Sequence, residues 1–378
     1  LGRVFLRQGN AVAAAREFER ARHLGVPEQD VLPDLARAWL GEEAHQQIDA
    51  LKMGADLPAE VRASLLAVQA ESLLARGRTA EAQDKAGASL ALAPASIDGR
   101  FAMAHVESEL GRYSEARQRL ESALVDAPNR ADGWGLMGDI ERGAGRFDAA
   151  EAALTKAMQD PALALRAQLM RALVRLQAGR LDTAEEDLKA LRAKLKESPP
   201  LDYAEGLLAY LRQDYRSARS HLDAALGKLP ADGAALALAG ANQLALGDPA
   251  MARIYLERAV SARPDEVATR RMLVMTLLQL GALEEAETLA RKLLAQLPND
   301  TAAMDLLASA LMMQGKREEG LAVLRKVEQS LVHSPAEAVR ASAARLAKGA
   351  DAVGLDQLES ALAEDPALQD ASAQAVLK

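Results

Sequence analysis

Apolar residues recur along the chain at helical spacing and stop at regular intervals, as in Leu120 and Leu124 followed by the turn at Pro128. The interruptions follow a single period. Gly9, Gly77, Gly111, Gly145, Gly179, Gly247, Gly281, Gly315 and Gly349 lie on one 34-residue lattice, with Glu43 and Gln213 holding its two remaining positions. Five residues after the lattice point stand Ala14, Ala82, Ala116, Ala150, Ala184, Ala218, Ala252 and Ala286. Twelve after it stand Ala21, Ala123, Ala157, Ala225, Ala259 and Ala361, and seventeen after it Pro94, Pro128, Pro230, Pro264, Pro298 and Pro366. Each column has a mechanical reason. The lattice residue ends one helix in a left-handed cap. The alanines let two antiparallel helices approach closely, and the proline stops the second helix. The unit is therefore a 34-residue helix–turn–helix whose apolar face only its neighbours can cover.

The repeats resemble the tetratricopeptide repeat (TPR) family over essentially the whole chain. The stretch from Ala131 to Arg166 is nearest the family pattern, with Trp134, Met137, Gly138, Gly145, Ala150, Leu154 and Ala157 in its signature columns and the small residue repeated at Gly206 and Gly240. The expected fold is all-α, a TPR superhelical α-solenoid of ten to eleven repeats. On this reading 1–378 is one solenoid: a partial first repeat at 1–28, a degenerate repeat at 29–62, nine regular repeats over 63–368 and the start of a further helix at 369–378. The incomplete repeats at both ends read as a fragment of a longer array. In the degenerate repeat, Ile48 replaces the column alanine and Gly54 and Pro58 predict a shortened second helix. The missing proline after Gly179 predicts a second helix running to about Glu197, and the late Pro335 predicts another long one after Gly315. Trp134 is expected to be a buried core aromatic.

Composition agrees with thin, similar layers: 82 Ala and 61 Leu against 11 aromatics in 378 residues. With no Cys there is no disulfide or thiolate chemistry. A net charge of -8 gives no electrostatic footprint for nucleic acid, and no apolar run is long enough to span a membrane. No two of His23, His45, His105, His221 and His333 share a metal-ligand spacing, so neither metal nor cofactor is expected. Each histidine reads as a surface or hydrogen-bonded groove residue. Gly143-Ala-Gly145 lacks the third glycine and the preceding strand of a dinucleotide loop and reads as a helix end. Glu185, Glu186 and Asp187 read as a solvated helix face, and Lys189, Arg192, Lys194 and Lys196 as an outer surface. No catalytic constellation is present, and an enzyme is not expected.

The TPR resemblance implies that the first helix of each repeat lines a concave face. Its inward columns begin polar, with Ser64, Glu71, Asp98, His105, Ser108, Glu109, Asp132, Asp139 and Arg142. They then turn apolar, with Leu169, Leu173, Leu176, Tyr203, Leu207, Tyr210 and Leu211, followed by Leu244, Met275, Leu278, Met312 and Met313. These apolar residues are either packing between first helices or a groove for a protein or peptide partner, with tyrosine anchors and adaptable methionines. The paired Lys and Asn with which some TPR proteins clamp a C-terminal carboxylate are missing.

A narrower resemblance is carried by the strings Leu1 to Gly9, Val31 to Trp39, Asp132 to Asp139, Leu207 to Tyr215 and Ala268 to Leu273. They are similar to the TPR lipoproteins of bacterial PEP-CTERM/exosortase systems, found with exopolysaccharide genes. That resemblance implies an envelope-facing, periplasmic scaffold anchored by lipid upstream of this segment. Two alternatives stand beside it: a module holding a hydrophobic peptide or lipid-like tail, and a cytoplasmic assembly co-factor.

Overall fold

A computed structural model describes residues 1–54 and 56–331. Among them every regular element is a helix, and the helices fall in two compact units, Leu1–Asp214 and Tyr215 onward. The first unit holds α1 (Gly2–Arg7), α2 (Ala11–His23), α3 (Glu28–Gly41), α4 (His45–Asp49), α5 (Ala59–Ala75), α6 (Thr79–Leu92) and α7 (Ile97–Glu109). It continues with α8 (Tyr113–Asp126), α9 (Ala131–Gly143), α10 (Phe147–Ala157), α11 (Ala164–Gln177), α12 (Leu181–Arg192) and α13 (Pro199–Leu211). The second unit holds α14 (Tyr215–Lys228), α15 (Gly233–Ala245), α16 (Pro249–Ala262), α17 (Val267–Gln279), α18 (Leu283–Gln296), α19 (Thr301–Met313) and α20 (Arg317–Leu331). The part of the regular repeats beyond residue 331 and the helix start expected at 369–378, with Gly349, Pro335, Ala361, Pro366 and His333, lie outside the described residues.

Every described lattice position adopts the left-handed conformation, with φ between 71° and 81° at the eight glycines. The two substituted positions hold it as well, Glu43 at 56° and Gln213 at 63°. The backbone geometry is therefore imposed by the hairpin and not by glycine. The alanines five residues later are all 0% exposed, as is Ile48 in the degenerate repeat. At Gly138 a Cβ would lie 2.5 Å from Leu154 Cγ, so the first and second helices touch through bare backbone there.

The irregular repeats differ in detail from expectation. α4 is five residues long, as Gly54 and Pro58 required. By contrast, α12 stops at Arg192 and does not reach Glu197. The Arg192 guanidinium holds the following turn, donating to Lys196 O at 3.1 Å and to Asp202 and Glu205 of α13. Ser198, preceding Pro199, is extended, as the residue before proline must be. After Gly315 the described part of α20 runs 15 residues.

From α7 to α12 the packing of helices, within a repeat and between repeats, is partly ionic. Glu107 and Glu141, four residues before their lattice points, are buried against Arg119 and against Arg117 and Arg146. Asp187, read from the sequence as solvated, is 4% exposed. It accepts from Arg171, Arg175 and Gln168, while Arg175 also reaches Glu151 of α10. In the second unit the corresponding first-helix positions are the buried Gln243 and then Leu277 and Leu311, both in its leucine-rich core. Ion pairs of this burial gain little net stability over apolar packing but fix geometry.

Trp134 is not a core residue. Its ring is half-buried, its Nε1–H donates to Pro128 O at 2.8 Å, and Lys156 Nζ lies 3.7 Å from the ring centroid. The buried tryptophan is Trp39, 9% exposed in the cluster around the short α4. Trp39→Ala should cost about 3–5 kcal/mol and Trp134→Ala about half that, read from urea midpoints at constant m. A larger loss at Trp134 would contradict this placement. Relief of the non-glycine cap by Gln213→Gly should raise stability by about 1 kcal/mol, measured in the same titration against Gly145→Ala, which should lower it.

Candidate partner-binding face

The first helices present the same turns of successive repeats side by side, so residues 34 apart become neighbours. In the first unit this creates a cleft of about 380 Å³. Its walls come from α3, α5, α7, α9 and α11, with Phe101, Leu136 and Met170 among its apolar lining and Arg37, Glu71, Asp98, His105, Arg130, Asp132, Asp139 and Arg166 supplying its charge. The polar half of the columns thus forms the better-defined concavity, a feature the apolar pattern did not point to.

One side of the cleft is a closed network. Asp98 accepts from Arg37 Nη2 at 2.5 Å, Ser64 Oγ at 2.6 Å and Arg130 Nη1 at 3.1 Å, and Arg130 also grips Asp132. Burial alone would raise the Asp98 pKa, but Arg37, Ser64 and Arg130 together hold it below the usual carboxylate range. The other side is a ladder across α5, α7 and α9. His105 Nδ1 lies 2.7 Å from Glu71 Oε2. Burial works against its charge, yet Glu71, with Glu109 and Asp139, raises the imidazole above its ordinary value. Asp139 is less well served. Its nearest cation, Arg142, is 3.8 Å away, and burial pushes its pKa up against the partial relief from Arg142, Arg166 and His105.

The apolar columns divide between the two units. In the first, Leu169, Leu173 and Leu207 are half-buried and rest on the core cluster of α11 to α13, with Tyr203 and Tyr210 half-buried and Leu211 exposed. Leu176 is 2% exposed and is a core residue, because its turn of α11 faces the neighbouring helices. In the second unit Leu244 and Leu278 rest on the core, whereas Met275 and Met313 are 49% and 57% exposed and Met312 is also open to solvent. Of the remaining histidines described, His45 Nδ1 pairs with Ser72 Oγ at 2.9 Å. Gly143–Gly145 closes α9, as a helix end should.

Sequence profiles described as tetratricopeptide repeat match residues 73–140, 136–199 and 243–309, together just over half of the chain. The chain belongs to the tetratricopeptide repeat family. Solved TPR-like structures agree on the fold. The hetero-tetramer Cut9-Hcn1 of the APC/C superposes with a TM-score of 0.59 at 19% identity, over 79% of this chain and 59% of that one. A TPR protein from Parabacteroides merdae gives 0.52 at 15% identity, over 66% of this chain and 99% of that one. The human IFIT1 dimer with m7Gppp-AAAA gives 0.53 at 14% identity, over 87% and 88%. This chain thus spans less than two thirds of the Cut9-Hcn1 chain. At these identities the likeness establishes the fold alone. No curated protein matches the sequence. Among the described residues no helix is long and apolar enough to cross a membrane.

The raised pKa of Asp139 has a sign that can be checked. Below its ordinary value of 3.8 the group is protonated both folded and unfolded and costs nothing. As pH rises through the higher folded value, the folded state is penalised for carrying the charge. Asp139→Asn should therefore raise the thermal midpoint at pH 7, with the gain vanishing below about pH 4. Equal midpoints at both pH values would show that the carboxylate is fully compensated.

Proposed function

We propose that this TPR chain is a non-catalytic scaffold that binds a protein or peptide partner along the inner columns of its first helices. TPR proteins generally mediate protein–protein interaction. The observation that carries the reading here is the cleft of the first unit, where five successive first helices bring charged and apolar side chains to one concavity. Along the same columns α11 and α13 add Leu169, Leu173, Tyr203, Leu207 and Tyr210, half-buried and backed by core, the kind of aromatic and aliphatic platform on which extended segments dock. Leu211, Met275 and Met312 extend the exposed apolar surface, each within its own unit.

The narrower assignment is a place in a bacterial envelope system of the PEP-CTERM/exosortase kind, as a periplasmic, lipid-anchored scaffold. Its support is the five strings from Leu1–Gly9 to Ala268–Leu273. A hydrophobic tail held by the apolar columns is the competing ligand for the same face. Fractionation of cells producing the native full-length protein checks the location: recovery with the envelope is expected, and recovery in the cytosol overturns it.

The binding face is tested by placing p-benzoylphenylalanine at Leu211 or, on the opposite outer side, at Glu186. A discrete protein adduct is expected from position 211 and lost in Leu207→Glu/Tyr210→Ala, which should keep its helical circular dichroism. Adducts of equal yield from both positions, or unchanged in the double variant, would refute the assignment; a lipid-sized adduct would favour the hydrophobic-tail reading.

A further inference from the structure

We propose that the cleft of the first unit selects a peptide segment carrying a basic side chain, whose cationic end is taken by Asp139, with the charge of the nearby exposed Glu109 adding to the attraction, while Phe101, Leu136 and Met170 line the space for its aliphatic stem. This rests on the reading of the chain as a peptide-binding scaffold. The cleft, at about 380 Å³, falls within the range of roughly 300–1,000 Å³ usual for small-ligand sites. Its shape alone does not choose an occupant. The distribution of charge compensation does.

Three of the carboxylates in the cleft are already answered. Asp98 has Arg37, Arg130 and Ser64, Asp132 has Arg130, and Glu71 has His105. Asp139 has Arg142 at 3.8 Å, beyond hydrogen-bond distance, and weaker relief from the charges of Arg166 and His105, which leave its pKa raised. Glu109 is exposed, and its charge acts on both His105 and Asp139. Arg166, on α11, is the cation that could argue for an acidic ligand, but it is exposed, and its charge already acts on Asp139. A charge in water costs little to leave unpaired, whereas one withdrawn from water costs much more. The half-buried Asp139 therefore decides the sign. Arg37 and Arg130 are engaged by Asp98 and Asp132 and are not free to bind an anion. Lysine and arginine suit the remaining space because each carries a long apolar stem below a charged tip.

The groups facing this position give the interaction a definite pH dependence. They are Glu71 on α5, His105 and Glu109 on α7, Asp139 and Arg142 on α9, and Arg166 on α11. Both Asp139 and His105 are held above their ordinary values, and loss of either proton makes the cleft more attractive to a cation. Affinity for a basic segment should therefore increase, and not decrease, with rising pH.

The test uses the full chain, immobilised, in 150 mM salt, where exposed charges more than about 8 Å apart are largely screened. The probes are acetylated, amidated heptapeptide pools randomised except for a fixed centre of Lys, Arg, norleucine or Glu, with captured peptide quantified by mass spectrometry. The Lys and Arg pools should be retained at least about fivefold above norleucine at pH 7.5, a difference of roughly 1 kcal/mol. Retention should fall towards the norleucine level in Asp139→Asn and in Glu109→Gln, and be unchanged in Glu186→Gln on the outer face. Because Asp139→Asn is expected to stabilise the fold, loss of capture there cannot be put down to unfolding. Equal retention of all pools would overturn the basic-residue assignment and leave the scaffold reading standing. Preference for the Glu pool, lost in Arg166→Gln, would reverse the assigned sign. Retention of no pool would count against both readings.

Discussion

The structure depends on one steric constraint: the two helices of a regular repeat must approach until only alanine or glycine fits between them. The alanine five residues after the lattice point is wholly excluded from solvent in each described repeat that carries it, and Ile48 fills the same position in the degenerate repeat. At Gly138 and Gly240 even a methyl group would meet a leucine of the facing helix. Close approach makes each layer thin, which is why the chain does without aromatic bulk. It also requires the chain to reverse within a few residues, and that reversal needs a positive φ. Glu43 and Gln213 show which requirement dominates, since both accept the left-handed conformation and keep the hairpin.

A second level of organisation lies between repeats. Around α8 to α12, Arg117–Glu141 and Arg175–Glu151 join adjacent repeats, beside pairs within a repeat that hold the nearly sealed Glu107 and Asp187. In the second unit leucine dominates the core, with Arg253–Glu285, Arg271–Asp300 and Lys316–Glu287 pairing across adjacent repeats. Removing one member of a buried pair strands its partner, so the ionic seams tolerate substitution less well than the apolar ones. The inner columns follow their own pattern: charged at α5, α7 and α9, then leucine and tyrosine at α11 and α13.

The fold was legible in the sequence because its cause is periodic. Glycine, alanine and proline columns report on backbone geometry, which each repeat must satisfy alone, and even the short α4 could be read from Gly54 and Pro58. Features that depend on pairing were not legible. Asp187 resembles any acidic residue on a helix until Arg171 and Arg175 of the preceding helix are placed beside it, and α12 ends where it does because Arg192 finds carboxylates on α13. Trp134 occupies a signature column yet lies half-open under Lys156. For the candidate site, the column positions identified the side chains that share a face but not their exposure. Leu176 turned inward into the core, and the cleft of the first unit formed among charged residues that a search for apolar surface passes over. The clue available was the 34-residue spacing of Glu71, His105 and Asp139, which places complementary charges on adjacent rungs.

The contrast between seams has a mechanical meaning. A guanidinium held by two carboxylates has one favourable arrangement and resists small rotations of one repeat on the next. Leucine against leucine has many arrangements of nearly equal energy, and methionine surfaces add to that freedom. Arg175, held by Asp187 and by Glu151 of the preceding repeat, therefore acts in the first unit as a pin that sets one repeat on the next. Met275 and Met313 of the second unit, open to solvent, instead offer a surface that can follow the shape of what it holds.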